Sequence, residues 1–177
     1  MPIAINLRCD DETGDQVRRL WSEAEYLEEA PSMSSLGYPP HVTLAQSDVL
    51  AESDAVGALE SLALPATPLE LMSTGIGFFE VADYLILWCA IARSEALETL
   101  HAQLCGLLGN RIRPNYRPPL WRPHCTIAKR VPRDRREDAE VFAFSHGQEL
   151  GVRFGAIDVV VHPPIRVSAE RCLHDAA

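Results

Sequence analysis

The chain has 177 residues, 47% of them hydrophobic and 23% charged, which fits one folded domain with its own core and excludes intrinsic disorder. The net charge of −9 argues against broad, nonspecific binding to duplex nucleic acid, which is mostly electrostatic. The longest apolar run, Tyr84 to Ala92, is too short to span a bilayer, so no membrane association is expected. The start, Met1 to Arg8, has no signal-peptide layout and passes into Asp10-Asp11-Glu12. Cys9, Cys89, Cys105, Cys125 and Cys172 are odd in number and contain no C-x-x-C pair, the usage of reduced thiols in a cytoplasm.

Residues 2–8 read as a strand. Thr13, with Gln16 three residues on, has the form of a capping box, and Val17, Leu20, Trp21, Ala24 and Leu27 follow at helical spacing. Pro31 to Pro40 is a loop, and 41–46 a strand. A helix is expected over about 50–63, with Val56, Leu59 and Leu62 as its buried stripe and Pro65 and Pro68 beyond its end. Strands at 69–79 and 84–92 pair about a turn near Asp83. Ser94 caps a helix carrying Leu97, Leu100, Leu104, Leu107 and Leu108, and Gly109-Asn110 stops it. After a Pro/Arg loop at 111–121, residues 123–130 form a strand. Asp134 and Glu137 look like a second capping box, opening a short helix that ends near His146-Gly147. Strands near 151–161 and 165–168 finish the chain. Strand–helix–strand–helix–strand thus occurs twice. The expectation is a single domain over 1–177 with an internally duplicated, bilobal α+β fold: two antiparallel sheets flanking a cleft, with helices outside.

One six-residue pattern recurs at equivalent places in the two halves. It runs Pro40-His41-Val42-Thr43-Leu44-Ala45 and again Pro123-His124-Cys125-Thr126-Ile127-Ala128. Strand alternation sends i and i+2 to one face, so each copy presents an imidazole beside a hydroxyl. By the same alternation Ala45 and Ser47 share the face of His41, and Arg122, Ala128 and Arg130 that of His124. Imidazole exchanges protons near neutral pH, and hydroxyls donate to phosphate oxygens as charge builds on them. Two such pairs around one anion suit phosphoester chemistry.

The second copy lies in a basic segment. Residues 111–136 carry nine of the sixteen Lys and Arg and one acid, giving +8 against −17 elsewhere. That local potential favours an anionic substrate, with Arg122 or Arg130 placed to add a bidentate contact. The alternative for most of these arginines is a solvated face paired to acidic helices. Tyr38, Tyr116 and Trp121 flank the motifs and are candidates for stacking on a base, or else for packing. Cys125 points away from His124 and reads as a small core residue. His101, His146, His162 and His174 read as structural or exposed. Neither copy contains H-x-H, H-E-x-x-H or a carboxylate, so no metal site is expected.

With these motifs the chain resembles the two-histidine (2H) phosphoesterase superfamily, in its 2′,5′ RNA ligase-like and cyclic phosphodiesterase branch. The resemblance rests on His41-Val42-Thr43-Leu44 and His124-Cys125-Thr126-Ile127, and the order of strands and helices extends it along the chain. It implies an acid–base pair in His41 and His124, phosphate donors in Thr43 and Thr126, and no metal or other cofactor. It implies hydrolysis of 2′,3′-cyclic phosphates of nucleotides or RNA ends to 2′-phosphates, or the related joining of RNA ends through 2′,5′ linkages. No obligate protein partner is indicated. Some relatives carry a basic residue soon after each motif. Here Gln46 and Ser47 follow the first and Lys129 and Arg130 the second, a one-sided distribution that weakens the expectation of a long RNA substrate. Two other readings stay open: a nucleotide- or RNA-binding module without turnover, and an enzyme for a non-nucleotide phosphodiester.

Overall fold

The computed structural model describes residues 1–173; His174 lies outside them. Strand β1 (Ile3–Cys9) leads into helix α1 (Asp11–Ala24). The helix begins earlier than the Thr13 box suggests. Asp10 is its N-cap, with Oδ1 accepting both the Thr13 backbone N–H (2.9 Å) and the Thr13 hydroxyl (2.7 Å). Strand β2 (His41–Ser47) and helix α2 (Glu52–Glu60) follow. The buried residues of α2 are Ala55, Ala58 and Leu59, while Leu62 is buried just beyond its end.

Next come β3 (Leu69–Val81), β4 (Tyr84–Ile91) and α3 (Glu95–Leu108), the last capped by Ser94 as expected. Leu97, Leu100, Leu104 and Leu108 face inward from α3, but Leu107 is exposed. Strand β5 (His124–Pro132) is followed by helix α4 (Arg136–His146). The Asp134–Glu137 box does not form: Arg133–Arg135 make a 3-10 turn, and α4 starts after it without a side-chain cap. Strands β6 (Gly151–Val161) and β7 (Arg166–Cys172) complete the chain.

All seven strands are antiparallel and lie in the order β1-β2-β5-β4-β3-β6-β7, with β1 also paired to β6. The sheet therefore closes on itself. One half is β6-β1-β2 with β7 on the outer edge, and the other is β3-β4-β5. The two antiparallel layers expected from the sequence are halves of one hydrogen-bonded sheet, joined at two narrow seams. At one, β3 meets β6 from Leu69 to Met72. At the other, β2 meets β5 through the single pair Val42–Cys125.

Helix α1 packs on β5 and β6, α2 on β6 and β7, α3 on β2, and α4 on β3. Val17, Leu20, Trp21 and Ala24 of α1 and the inward leucines of α3 join the sheet's apolar face in one core. Each large side chain buried there stabilises the fold by about 1.5–3 kcal/mol. Cys125 is fully buried in that core, as its strand phase implies.

Candidate active site

The two motif strands carry the same irregularity. In β2, Ile5 and Asn6 of β1 face Ala45 and Thr43, so Leu44 is an extra residue. In β5, Leu87 and Trp88 of β4 face Ala128 and Thr126, so Ile127 is extra. A bulge of this kind shifts the alternation beyond it. Residues 41, 43 and 46 are half-buried on the cleft side of β2 while Ala45 and Ser47 are buried. On β5 the shift places Lys129 at the cleft and buries Ala128. The expected phase for Ala45, Ser47 and Ala128 is thus corrected.

His41, Thr43, His124 and Thr126 line one cleft of about 660 Å³. Asn6, Gln46, Phe79, Lys129 and His162 also line it, and none of these was singled out from sequence as a site residue. The two histidines are held alike. Nδ1 of His41 lies 2.9 Å from the Pro39 carbonyl, and Nδ1 of His124 lies 2.6 Å from the Arg122 carbonyl. A carbonyl only accepts, so each Nδ1 carries a proton and each neutral ring keeps an Nε2 lone pair for the cleft.

Burial pulls the His41 imidazole down to about 4, helped by the positive charges of Lys129 and His124 and opposed by the Pro39 carbonyl. Burial also lowers His124, against the pull of the Arg122 carbonyl. Aromatic rings bracket both. Tyr38 meets His41 edge-on at 4.8 Å, and Phe79 meets His124 at 5.2 Å, stacked in turn on Trp88.

The motif threonines are anchored through their backbones. The Thr43 carbonyl accepts from the Trp121 indole (3.0 Å), and the Thr126 carbonyl from the Trp21 indole (2.8 Å). Trp121 is buried and stacks on His101 at 3.7 Å, which takes one of its faces. Tyr38 is 8% exposed, and its hydroxyl is held by Asn6 and Asp158. Both aromatics line the cleft, and through these bonds both also brace the motif strands. Tyr116 is half-buried, packed against the core, and lines the cleft.

Much of the basic segment is engaged in ion pairs: Arg111 with Asp54, Arg113 with Asp48, Arg130 with Glu29, and Arg136 with Glu80 and Glu140. Arg122 and Lys129 line the cleft, and among the described residues no ion pair holds either. The positive charge of the site therefore comes from the β5 side, with the neutral Gln46 opposite. Among the described residues no group of three or more His, Cys, Asp or Glu is arranged to hold a metal ion, and no helix is long and apolar enough to cross a membrane.

Solved structures share this fold across nearly the full chain. The Thermus thermophilus protein TT0787 superposes with a TM-score of 0.61 at 20% identity, covering 98% of each chain. E. coli LigT complexed with 3′-AMP gives 0.57 at 12% identity, over 97% of this chain and 96% of that one. Kluyveromyces marxianus Usb1 gives 0.53 at 12% identity, over 94% and 96%. No curated sequence matches the chain. Residues 10–163, a span holding both histidine motifs, match the model of the 2′-5′ RNA ligase superfamily, and the chain belongs to that superfamily of two-histidine phosphoesterases.

Proposed function

We propose that the protein is a metal-independent phosphodiesterase that hydrolyses 2′,3′-cyclic phosphates of nucleotides or RNA ends to 2′-phosphates. The observation that carries this reading is the pair of imidazoles held with Nε2 free in one cleft, each beside a motif threonine. His41 acts as base: it is the more strongly neutral of the two, and its Nε2 takes a proton from water as the water oxygen attacks phosphorus in line. His124 acts as acid and protonates the departing ribose 3′ oxygen. The rings of Phe79 and Trp88 pack beside it, and the Arg122 carbonyl on Nδ1 favours its protonated form. Arg122 and Lys129 offset charge on the phosphoryl oxygens, and a base packs against Tyr116. Nucleotide complexes of LigT with 3′-AMP and NADP+ support a nucleotide substrate. The same two-histidine chemistry, with an RNA 5′ hydroxyl attacking phosphorus in place of water and the ribose 3′ oxygen again leaving, gives 2′,5′ joining.

The cleft is also lined by Met33, Leu36, Val81, Leu120 and Ile165. That surface favours a second reading, a non-nucleotide phosphodiester with an apolar group. The test is turnover of 2′,3′-cyclic mononucleotides, short RNAs ending in a cyclic phosphate, and an acylglycerol cyclic phosphate, in excess EDTA, with products assigned by phosphorus NMR. Formation of a 2′-phosphate, reduced by roughly 10²–10⁴-fold in both His41→Ala and His124→Ala, is expected. A fully active His124→Ala protein would sink the assignment.

A further inference from the structure

We propose that Gln46 and His162 read the edge of the substrate's base and favour a 6-oxo purine such as guanine over adenine; the inference rests on the reading of the cleft as a nucleotide site.

The floor of the cleft runs on beyond the motif residues. Three strands carry it in rows. Thr43 stands opposite Asn6 and Asn6 opposite Asp158; in the next row Gln46 stands opposite Ala4 and Ala4 opposite Val160. Same-face rows along a strand lie about 7 Å apart. Two residues past Val160, just beyond the end of β6, comes His162, whose N–H donates to the Pro2 carbonyl at 3.2 Å. The Arg113 N–H donates to the Gln46 carbonyl at 2.8 Å and draws the turn bearing Asn115 and Tyr116 alongside β2. Ala4, Val160, Asn115 and Tyr116 all line the cleft together with Gln46 and His162. A small apolar floor, an aromatic wall and a few polar groups suit a flat base, with its ribose between it and a phosphate at the motif residues.

Gln46 and His162 have one hydrogen-bond sense. Asp48 accepts from Arg113 Nε at 2.6 Å and from Nη2, which leaves Nη1 to donate to Gln46 Oε1 at 3.0 Å. A guanidinium only donates, so the Gln46 amide is fixed with its oxygen toward Arg113 and its nitrogen toward His162. Gln46 Nε2 lies 3.4 Å from His162 Nε2. The amide nitrogen donates, the ring nitrogen accepts, and the hydrogen of the neutral imidazole is therefore on Nδ1. Burial holds His162 below the ordinary imidazole value, and the charges of Lys129 and Arg113 add to this against Asp48, so the ring stays neutral at neutral pH. The second amide hydrogen of Gln46 and the Nδ1–H of His162 have no partner among the described residues. The pair thus has donors to offer the cleft and no acceptor.

That sense separates two bases of equal size. Guanine presents O6 and N7 side by side, both acceptors, whereas adenine presents N7 beside the N6 amino donor. Guanine engages both free N–H groups. Adenine sets a donor against a donor and leaves a polar group unpaired in a partly desolvated site.

The test is titration calorimetry with nucleoside 2′-monophosphates, the products of the proposed reaction, which have no cyclic bond left to cleave. Guanosine and inosine 2′-monophosphates are expected to bind at least about tenfold more tightly than adenosine 2′-monophosphate. Inosine keeps O6 without the 2-amino group, so it isolates the edge in question. In Gln46→Glu one carboxylate oxygen still accepts from Arg113 while the other accepts from His162, which moves the ring hydrogen to Nε2 and leaves Nδ1 an acceptor. The guanosine-to-adenosine ratio should then fall to one or below, whereas general damage to the site weakens all three nucleotides alike. His162→Phe, which removes one donor, should narrow the same ratio. Equal affinities in the wild-type protein, inosine held as weakly as adenosine, or a ratio unmoved in both variants overturns the inference and leaves the nucleotide site standing. No binding of any of the three removes the nucleotide reading and the inference together.

Discussion

The Trp88 indole lies across Gly77 so closely that a Cβ there would sit 2.8 Å from Trp88 Cζ2. The two residues are opposite each other on β4 and β3, and the missing side chain lets the indole lie flat and stack on Phe79, beside His124. Gly77→Ala therefore displaces the ring that supports His124. A stability loss of about 1–3 kcal/mol is expected from overpacking, read by thermal unfolding, together with a shift in tryptophan fluorescence and reduced turnover. Unchanged fluorescence and activity would show that the ring does not position His124.

The pH–rate profile follows from the lowered histidines. On the proposed roles, His41 is active as base above its ionisation, at about 4, and His124 as acid below its own, which lies under 6.5. The kcat/KM profile should peak on the acid side of 6.5, its limbs belonging to the pair. Lys129 is one of the charges that lowers His41, so Lys129→Met should move the acid limb upward. A limb that stays in place, or moves down, would remove Lys129 from the electrostatics of the site.

Stability against pH carries two opposed contributions. Asp158 ionises near 6 when folded, above its unfolded value, so its contribution is full below about 4 and is lost as pH rises through 6. His41 is lowered to about 4, so its contribution is full above about 6.5 and is lost as pH falls through 4. Each is on the order of 3 kcal/mol, and they share one pH window. The wild-type protein should show little net slope from this pair. Asp158→Asn should leave stability rising with pH there, and His41→Gln should leave it falling, both read by denaturant unfolding at several pH values.

Glu28 ties the loop over the cleft to β5. One carboxylate oxygen accepts the Met33 N–H and the other the Lys129 N–H, each at 2.8 Å. Glu28→Ala should cost about 1–3 kcal/mol and speed amide exchange at Met33 and Lys129 while sparing the amides of α3. Equal acceleration throughout would mean global destabilisation instead.

The histidine–threonine pairs were legible because strand alternation is local: His41 with Thr43 and His124 with Thr126 need only two-residue spacing. Gln46 and Lys129 were not, because the bulges at Leu44 and Ile127 depend on residues of β1 and β4 that lie far away in sequence. Thr13 has the look of a cap in sequence, but Asp10 three residues before it is the acceptor and Thr13 the donor, and spacing alone does not separate the two. His162 reaches the cleft from the end of β6, and nothing in its neighbours marks that. Asn6 and Asp158 did carry a signal. Asn6 interrupts Ile3-Ala4-Ile5 and Leu7, and Asp158 interrupts Ala156-Ile157 and Val159-Val160-Val161. A lone polar residue within a buried strand needs a partner. Here the partners are Tyr38 and Thr43 for Asn6, and Tyr38 and Arg8 for Asp158.

The seam between β2 and β5 is one residue pair wide, and its members, Val42 and Cys125, are the immediate neighbours of His41 and His124. That single bridge brings the two motif strands together one residue away from each imidazole, so the closure of the sheet itself sets how the two histidines face each other, and a substitution that displaces Val42 or Cys125 acts on both at once.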